Sequence, residues 1–286
     1  MVAPLRRVIV KRPEEAFRSG DSDSIAREWQ PLGYTRPPDF NRASRDHREF
    51  VSLLATAGAE VLCLPADQRT GLDSIYTHDP VLITDAGAVI FQTGKPARRG
   101  EGPAFADAFG KWDVPILGIV DGPATAEAGD MIWLDSHTLL VGRGFRTNAA
   151  GVETLSALLQ PLRVNVIQVQ LPYWKGADEV LHLMSFVSLL DEDLAVVHRP
   201  MLPVPLFEIL SGKGVRLVDV PEEEVDTLGC NVLAVAPRNV IMAGGNPITR
   251  SRLQAAGCRV SEFDGSEICL PGAGGPTCLT RPLLRG

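Results

Sequence analysis

The chain has 286 residues, a formal net charge of −7 and an apolar fraction of 45%, which gives ample length for a sizeable buried core. Its basic residues form no block of five or six, which argues against a nucleic-acid footprint or a membrane-binding face and leaves a small molecule as the expected partner. Five cysteines without a CxxC pair suggest neither a disulfide framework nor a zinc knuckle, and the start "MVAPLRRVIVKRPEEAF" lacks the apolar stretch of a signal peptide, so a cytoplasmic setting is expected.

In chain order, a first strand in "RRVIVKRP" is followed by a polar insertion from Glu14 to Asn41, whose Gly, Ser, Pro and charge content predicts a loop and a candidate lid. A helix near Ala43 to Thr56 and a strand in "GAEVLCLP" complete this part. Four hairpin-like segments come next: "PVLITDAGAVIFQTG", "GDMIWLDSHTLLVG", "SFVSLLDEDLAVVH" and "CNVLAVAPRNVIMAG". Each joins two runs rich in Val, Ile and Leu across a turn of Asp, Ser, Asn, Gly or Pro type. Each is followed by a helix (Gly102 to Lys111, Asn148 to Leu159, Val204 to Leu210, Thr249 to Ala256) and a closing strand ("VPILGIV", "LRVNVIQVQLP", "VRLVDVP", "CRVSEFD").

The order strand, strand, helix, strand thus recurs, with the N-terminal part as a looser fifth copy. One such unit cannot bury both faces of its strands, so neighbours must close on one another. The expected architecture is α/β: five ββαβ units around a pseudo-fivefold axis, one domain over residues 1–286, helices outside and a central pocket.

Polar residues at the repeat edges are candidates for that pocket. Asp79 in "YTHDPVLI", Glu127 in "TAEAGDMIWL" and His182 in "DEVLHLMSFVSLL" precede or open the first strand of units two, three and four, and Cys278 follows unit five. Each alone has a plain local explanation: a turn acid before Pro80, a solvated loop acid, a core histidine, an inert thiol. Together they form a constellation for nucleophilic attack on a cationic carbon, with acids holding the cation, a thiolate attacking and an imidazole moving protons. Cys278 sits in "GAGGPTCLTRPLLRG", where glycines are expected to supply positive φ or close backbone approach. Arg98 and Arg99 in "GKPARRGE", with Arg143 and Arg146 in "GRGFRTN", offer guanidinium forks for a carboxylate.

The ordered series "LGYTRPPD", "DHREFVSLLATAGAEV", "THDPVLI", "GKPARRGE", "EAGD", "GRGFRTN", "LHLMSFVSLL", "NVLAVAPRNVIM" and "GGPTCLTRPLLR" resembles the guanidino-group-modifying enzymes of the pentein superfamily, most closely the dimethylarginine dimethylaminohydrolases. The resemblance implies a five-bladed αβ propeller and hydrolysis at the guanidinium carbon of an Nω-substituted arginine. Citrulline and an alkylamine would leave through a covalent S-alkylthiouronium intermediate, with no metal or organic cofactor. It implies Cys278 as nucleophile, His182 as general acid and base, Glu127 orienting His182, and Asp79 on the guanidinium. Arg98 and Arg146 would hold the α-carboxylate, and Leu32 would belong to the lid. Arginine or agmatine deimination and amidino transfer are alternatives on the same fold, a non-catalytic partner-binding pentein ranks below them, and a homodimer is left open. Three positions depart from family patterns: Met184, where deiminases and amidinotransferases carry an aspartate, Ala128 in place of a glycine, and Gly144 in place of a serine. An apolar edge at Met184 suits an alkylated guanidinium nitrogen better than a bare NH2.

Overall fold

The predicted turns do join antiparallel strands, and the helices serve as crossovers to a third, parallel strand. The computed structural model, which describes residues 1–286, contains in chain order β1 (Leu5–Val10), α1 (Pro13–Ala16), α2 (Ser22–Glu28), α3 (Phe40–Thr56), β2 (Glu60–Cys63), β3 (Val81–Thr84), β4 (Gly87–Phe91), α4 (Glu101–Lys111) and β5 (Ile116–Val120). It continues with β6 (Met131–Asp135), β7 (Thr138–Arg143), α5 (Ala149–Leu159), β8 (Asn165–Gln170), β9 (Val187–Asp191), β10 (Leu194–Val197), α6 (Val204–Gly212) and β11 (Arg216–Asp219). The last elements are β12 (Leu233–Ala236), β13 (Asn239–Ala243), α7 (Pro247–Ala255), β14 (Arg259–Phe263) and β15 (Arg281–Arg285). No helix is long and apolar enough to cross a membrane.

The strands form five three-stranded sheets, ordered β15-β1-β2, β3-β4-β5, β6-β7-β8, β9-β10-β11 and β12-β13-β14. In each, one outer pair is antiparallel and the other parallel, and the intervening helix makes the crossover that parallel pairing requires. The first strands face inward: β12 meets β9 and β1, and β15 meets β3. The helices sit outside and bridge blades, α5 against β8 and the preceding β5, α7 against β14 and β11, α3 against β2 and β14.

Apolar residues of one blade are therefore buried by the next, as the repeat argument requires. Phe91 of β4 shares a core with Leu139 of β7 and Leu155 of α5, and Ile9 of β1 shares one with Val81, Ile90 and Phe105. Each such fully buried side chain contributes about 1.5–3 kcal/mol. The arrangement is the five-bladed αβ propeller.

Three expectations are corrected. The N-terminal unit borrows its missing strand from the other end of the sequence, β15, with Leu5 opposite Arg285 and Ile9 opposite Arg281. The insertion between Glu14 and Asn41 is not all loop, since α2 starts at a cap in which the Asp21 carboxylate accepts from the backbone N–H of Asp23. Its far half is stitched to the segment before Cys278: Thr35 N–H donates to Pro271 O, and Arg36 pairs with Glu267. Finally, Gly272, Gly274 and Gly275 have no positive φ. They are small because a Cβ would strike aromatic rings or Asn231: 2.4 Å from Tyr76 at Gly274 and 2.5 Å from Asn231 at Gly275.

Candidate active site

Asp79 ends the turn that leads through Pro80 into β3, and its carboxylate is 4% exposed. Gly129 N–H donates to its Oδ1 at 3.0 Å and Arg98 Nη1 to its Oδ2 at 2.6 Å. Burial would raise this carboxyl's pKa, but the positive charges of His182 and Arg98 hold it well below the usual range. In "EAGD" the one glycine, Gly129, has no alternative. A Cβ on Gly129 would lie 2.4 Å from His182 Nδ1 and 2.8 Å from Asp79 Oδ1.

Arg98 does not fit the carboxylate-holding role expected of it. Nε and Nη2 form a two-pronged bond to Glu101, Nη2 also donates to Tyr76 O, and Nη1 is on Asp79. With four bonds made inside the protein and 4% exposure, this guanidinium is a wall of the site rather than a free fork. Glu101, at the N-terminal turn of α4, is pushed by burial up to about 7 despite Arg98.

His182 and Glu127 are brought together as expected. His182 Nε2 lies 2.7 Å from Glu127 Oε2, and Nδ1 lies 3.9 Å from Asp79 Oδ1. Burial alone would lower the imidazole's pKa, but Asp79, Asp130 and Glu127 outweigh it and raise it to about 9, so the ring is an imidazolium at neutral pH. Glu127 is fully buried; its other oxygen accepts from Lys95 N–H at 3.1 Å, and Arg146 Nη1 approaches Oε2 at 3.4 Å. Burial would raise Glu127, yet His182 and Arg146 hold it down to about 2. Behind them Asp130 accepts from Thr147 Oγ1 at 2.6 Å and Leu183 N–H at 3.0 Å, locking the backbone beside His182. Arg146, 7% exposed and held only by that long contact, keeps donors for a ligand.

Asp79, Glu127 and His182 have the spacing of a metal-ligand set, their ligand atoms lying within 4.8 Å of one another. Arg98, Arg146 and the imidazolium already balance the two carboxylates, however, so the cluster needs no ion for neutrality.

Cys278 is half-buried, and its loop hangs from the turn that carries Asp79. His78 N–H donates to Cys278 O at 3.1 Å, His78 Nδ1 bonds Thr280 O at 2.9 Å, and Arg281 donates to the carbonyls of His78 and Val81. The sulfur accepts from Asn231 Nδ2 at 3.1 Å, and Asn231 Oδ1 in turn accepts from Thr277 N–H. Burial, then the charge of Asp79, push the thiol up to about 11, against the pull of Asn231. It makes no hydrogen bond to His182, and at rest it is a protonated thiol.

Leu32 is joined to this cluster through Lys95. The Lys95 ammonium donates to Leu32 O at 2.6 Å and to Asp73 Oδ2 at 2.5 Å. Arg99 is exposed, Arg143 is exposed at the end of β7, and Met184 is buried in the apolar turn after His182. Sequence reasoning missed Asp73, Lys95, Asp130 and Asn231. Only Asp130 and Asn231 carried a usable signal, each occupying a repeat edge like the residues that were singled out.

A family model described as Arginine deiminase matches residues 73–206 and 202–285. A N(G),N(G)-dimethylarginine dimethylaminohydrolase of Pseudomonas aeruginosa is 30% identical over 80% of this chain and 84% of its own. One of Streptomyces coelicolor is 29% identical over 97% and 96%. Among solved structures, a cysteine-to-serine variant of the Pseudomonas aeruginosa enzyme in complex with citrulline is 25% identical with a TM-score of 0.78, covering 99% of this chain and 100% of the other.

Proposed function

Because the chain belongs to the arginine deiminase family and is a hydrolase acting on amidino C–N bonds, we propose that it hydrolyses Nω-substituted, methylated arginine to citrulline and an alkylamine. The observation that carries this is the imidazolium of His182 set between Glu127 and Asp79, with the Cys278 loop hung from the same turn as Asp79. Residues 1–286 act as one catalytic domain, since those groups come from four different blades.

Asp79 accepts hydrogen bonds from the planar cation while Glu127 keeps the imidazolium in place. The cation's arrival supplies what the thiol lacks, a positive charge beside sulfur, and so favours the thiolate, the thiol proton passing to bulk water. Sγ bonds to Cζ, His182 gives its proton to the departing amine, the Cζ–N bond breaks and the S-alkylthiouronium remains. The now neutral imidazole then takes a proton from water, whose oxygen bonds to Cζ as the C–S bond breaks, and citrulline leaves with the thiol restored. Glu127 and Asp79 keep the ring oriented through both proton transfers. With Arg98 committed elsewhere, Arg146 takes the α-carboxylate. Met184, two residues after His182 and part of an apolar core, offers no acceptor to a bare NH2 at that position, which favours a nitrogen bearing methyl groups.

Deimination of unsubstituted arginine is the second reading, favoured by the family match itself. Release of the urea product, citrulline from arginine, Nω-methylarginine and asymmetric dimethylarginine or N-carbamoylputrescine from agmatine, with Cys278→Ser as control, separates the two. Preference for the methylated arginines is expected, and preference for arginine would overturn the substrate assignment.

A further inference from the structure

We propose that Asn231 is a further catalytic residue: its side-chain amide is a fixed donor that stabilises negative charge on Cys278 Sγ, first when the thiolate forms and again when sulfur leaves the carbon. The second event rests on the hydrolase reading above; the first is independent of it.

The direction of the amide follows from its partners. Thr277 N–H donates to Asn231 Oδ1 at 2.9 Å, so the other end of the amide, Nδ2, faces the sulfur 3.1 Å away. A flipped amide would set two donors, Nδ2 and Thr277 N–H, against each other among buried groups. The sulfur is therefore offered a donor. A thiol accepts weakly, whereas a thiolate accepts with a full charge, so the contact favours the ionised form.

The donor is held in place from two sides. Ser188 on β9, 1% exposed, grips the backbone on both flanks of Asn231: its hydroxyl donates to Cys230 O at 2.7 Å and accepts from Val232 N–H at 3.4 Å. Opposite, Gly275 leaves room for the amide, where a Cβ would lie 2.5 Å from Asn231 Cγ. A dipole fixed in this way has nothing to reorganise when charge arrives.

Few other groups act on the sulfur. Asp79 raises the thiol's pKa and Arg98 lowers it, while the Tyr76 phenol and the Cys269 thiol are pushed well up by burial and stay neutral. Asn231 is the one side chain that hydrogen-bonds Sγ.

The need for this donor changes through the reaction. Once the thiol proton has passed to bulk water and a sulfur lone pair has formed the S–Cζ bond, sulfur carries no negative charge and the contact weakens. When the water oxygen bonds to Cζ, the electron pair of the breaking C–S bond returns to sulfur. Nδ2 then meets that charge, and a proton from bulk water restores the thiol.

The test is alkylation of the free enzyme by iodoacetamide at about pH 8.5, read at Cys278 by peptide mass spectrometry with exposed Cys63 as internal reference. Asn231→Ala removes the donor and opens space beside the sulfur. Tenfold less thiolate should slow Cys278 by at least about tenfold with Cys63 unchanged, whereas a merely structural role would loosen the loop and speed it. Ser188→Ala, acting through Asn231 as a positioning residue, should slow Cys278 by about two- to threefold, and it tests the same inference should Asn231→Ala not fold. In turnover, Asn231→Ala should lower kcat by at least about tenfold with KM within about threefold. Alkylation of Cys278 at an unchanged or higher rate, or an unchanged kcat, would overturn the proposal. Absence of citrulline release by the unmodified enzyme would sink the hydrolase reading instead, and alkylation alone would then decide the role of Asn231.

Discussion

Where Asp79, Glu127 and His182 meet, each group is under a tenth exposed, and the ion pairs run on without a break to Arg98, Glu101 and Arg146. Where Leu32, Asp73 and Lys95 meet, a single lysine with a water-exposed flank closes the contact. The first region has nothing to rearrange, which suits charges that must be in position when a covalent bond forms. The second rests on fewer contacts and stands nearer water, which makes it the looser of the two. The two neighbouring regions thus differ in how much each can rearrange.

The largest effect should come from Cys278→Ser, which removes the nucleophile from the fixed region. Citrulline release should fall by at least about 10⁴-fold while the unfolding transition stays in place. A smaller loss would mean that the thiol is not the attacking group.

Glu127→Gln should lower kcat by about 10²–10³-fold and also move the pH profile. His182 is raised to about 9 by its carboxylates, so the imidazolium needed to protonate the amine is lost, and kcat/KM falls, as pH rises through that value. Without Glu127, burial has less opposition, and the alkaline limb should move to lower pH. The same raised pKa means that protonated His182 stabilises the fold fully below about pH 6.5, a contribution lost as pH climbs through about 9. An alkaline limb that does not move would detach His182 from Glu127.

Stability sharpens the contrast further. Arg98→Met leaves Asp79 and Glu101 buried without their shared partner and should cost about 3–5 kcal/mol in urea denaturation. Lys95→Met should cost less, about 1–3 kcal/mol, because it leaves one buried carboxylate, Asp73, unpaired rather than two and the lysine has a flank in water. Equal costs would erase the distinction between the two regions. The smallest effect is expected at Cys230, a buried thiol pushed by desolvation up to about 12. Cys230→Ala should leave kcat/KM within about twofold, as for a core cysteine that acts only as a small apolar group.

Much of the fold was legible because each blade repeats the same local pattern, and helix and strand periods differ enough to be read without tertiary information. β15 was not, since "TRPLLRG" is a strand only because β1 lies beside it. The insertion read as loop because its polar composition hides the short helix Ser22–Glu28. In the site, residues standing at repeat edges could be picked out, but whether an arginine's donors are free cannot be seen in a letter. The spacing of Arg98 and Glu101, three residues apart at a helix start, was the available hint that this fork was already engaged. Lys95 and Asp73 meet only through the ring, so nothing local marks them.

The loop bearing Cys278 leads directly into β15, the strand that closes the ring by pairing Leu5 with Arg285. Contacts between such distant parts of a sequence form late in folding. Until they form, the thiol is not suspended from His78 beside the carboxylates, and it is an ordinary cysteine with no cation to activate it. Competence for chemistry is therefore a proofreading mark on the fold itself: a molecule that has not closed its circle carries the nucleophile but not the reaction.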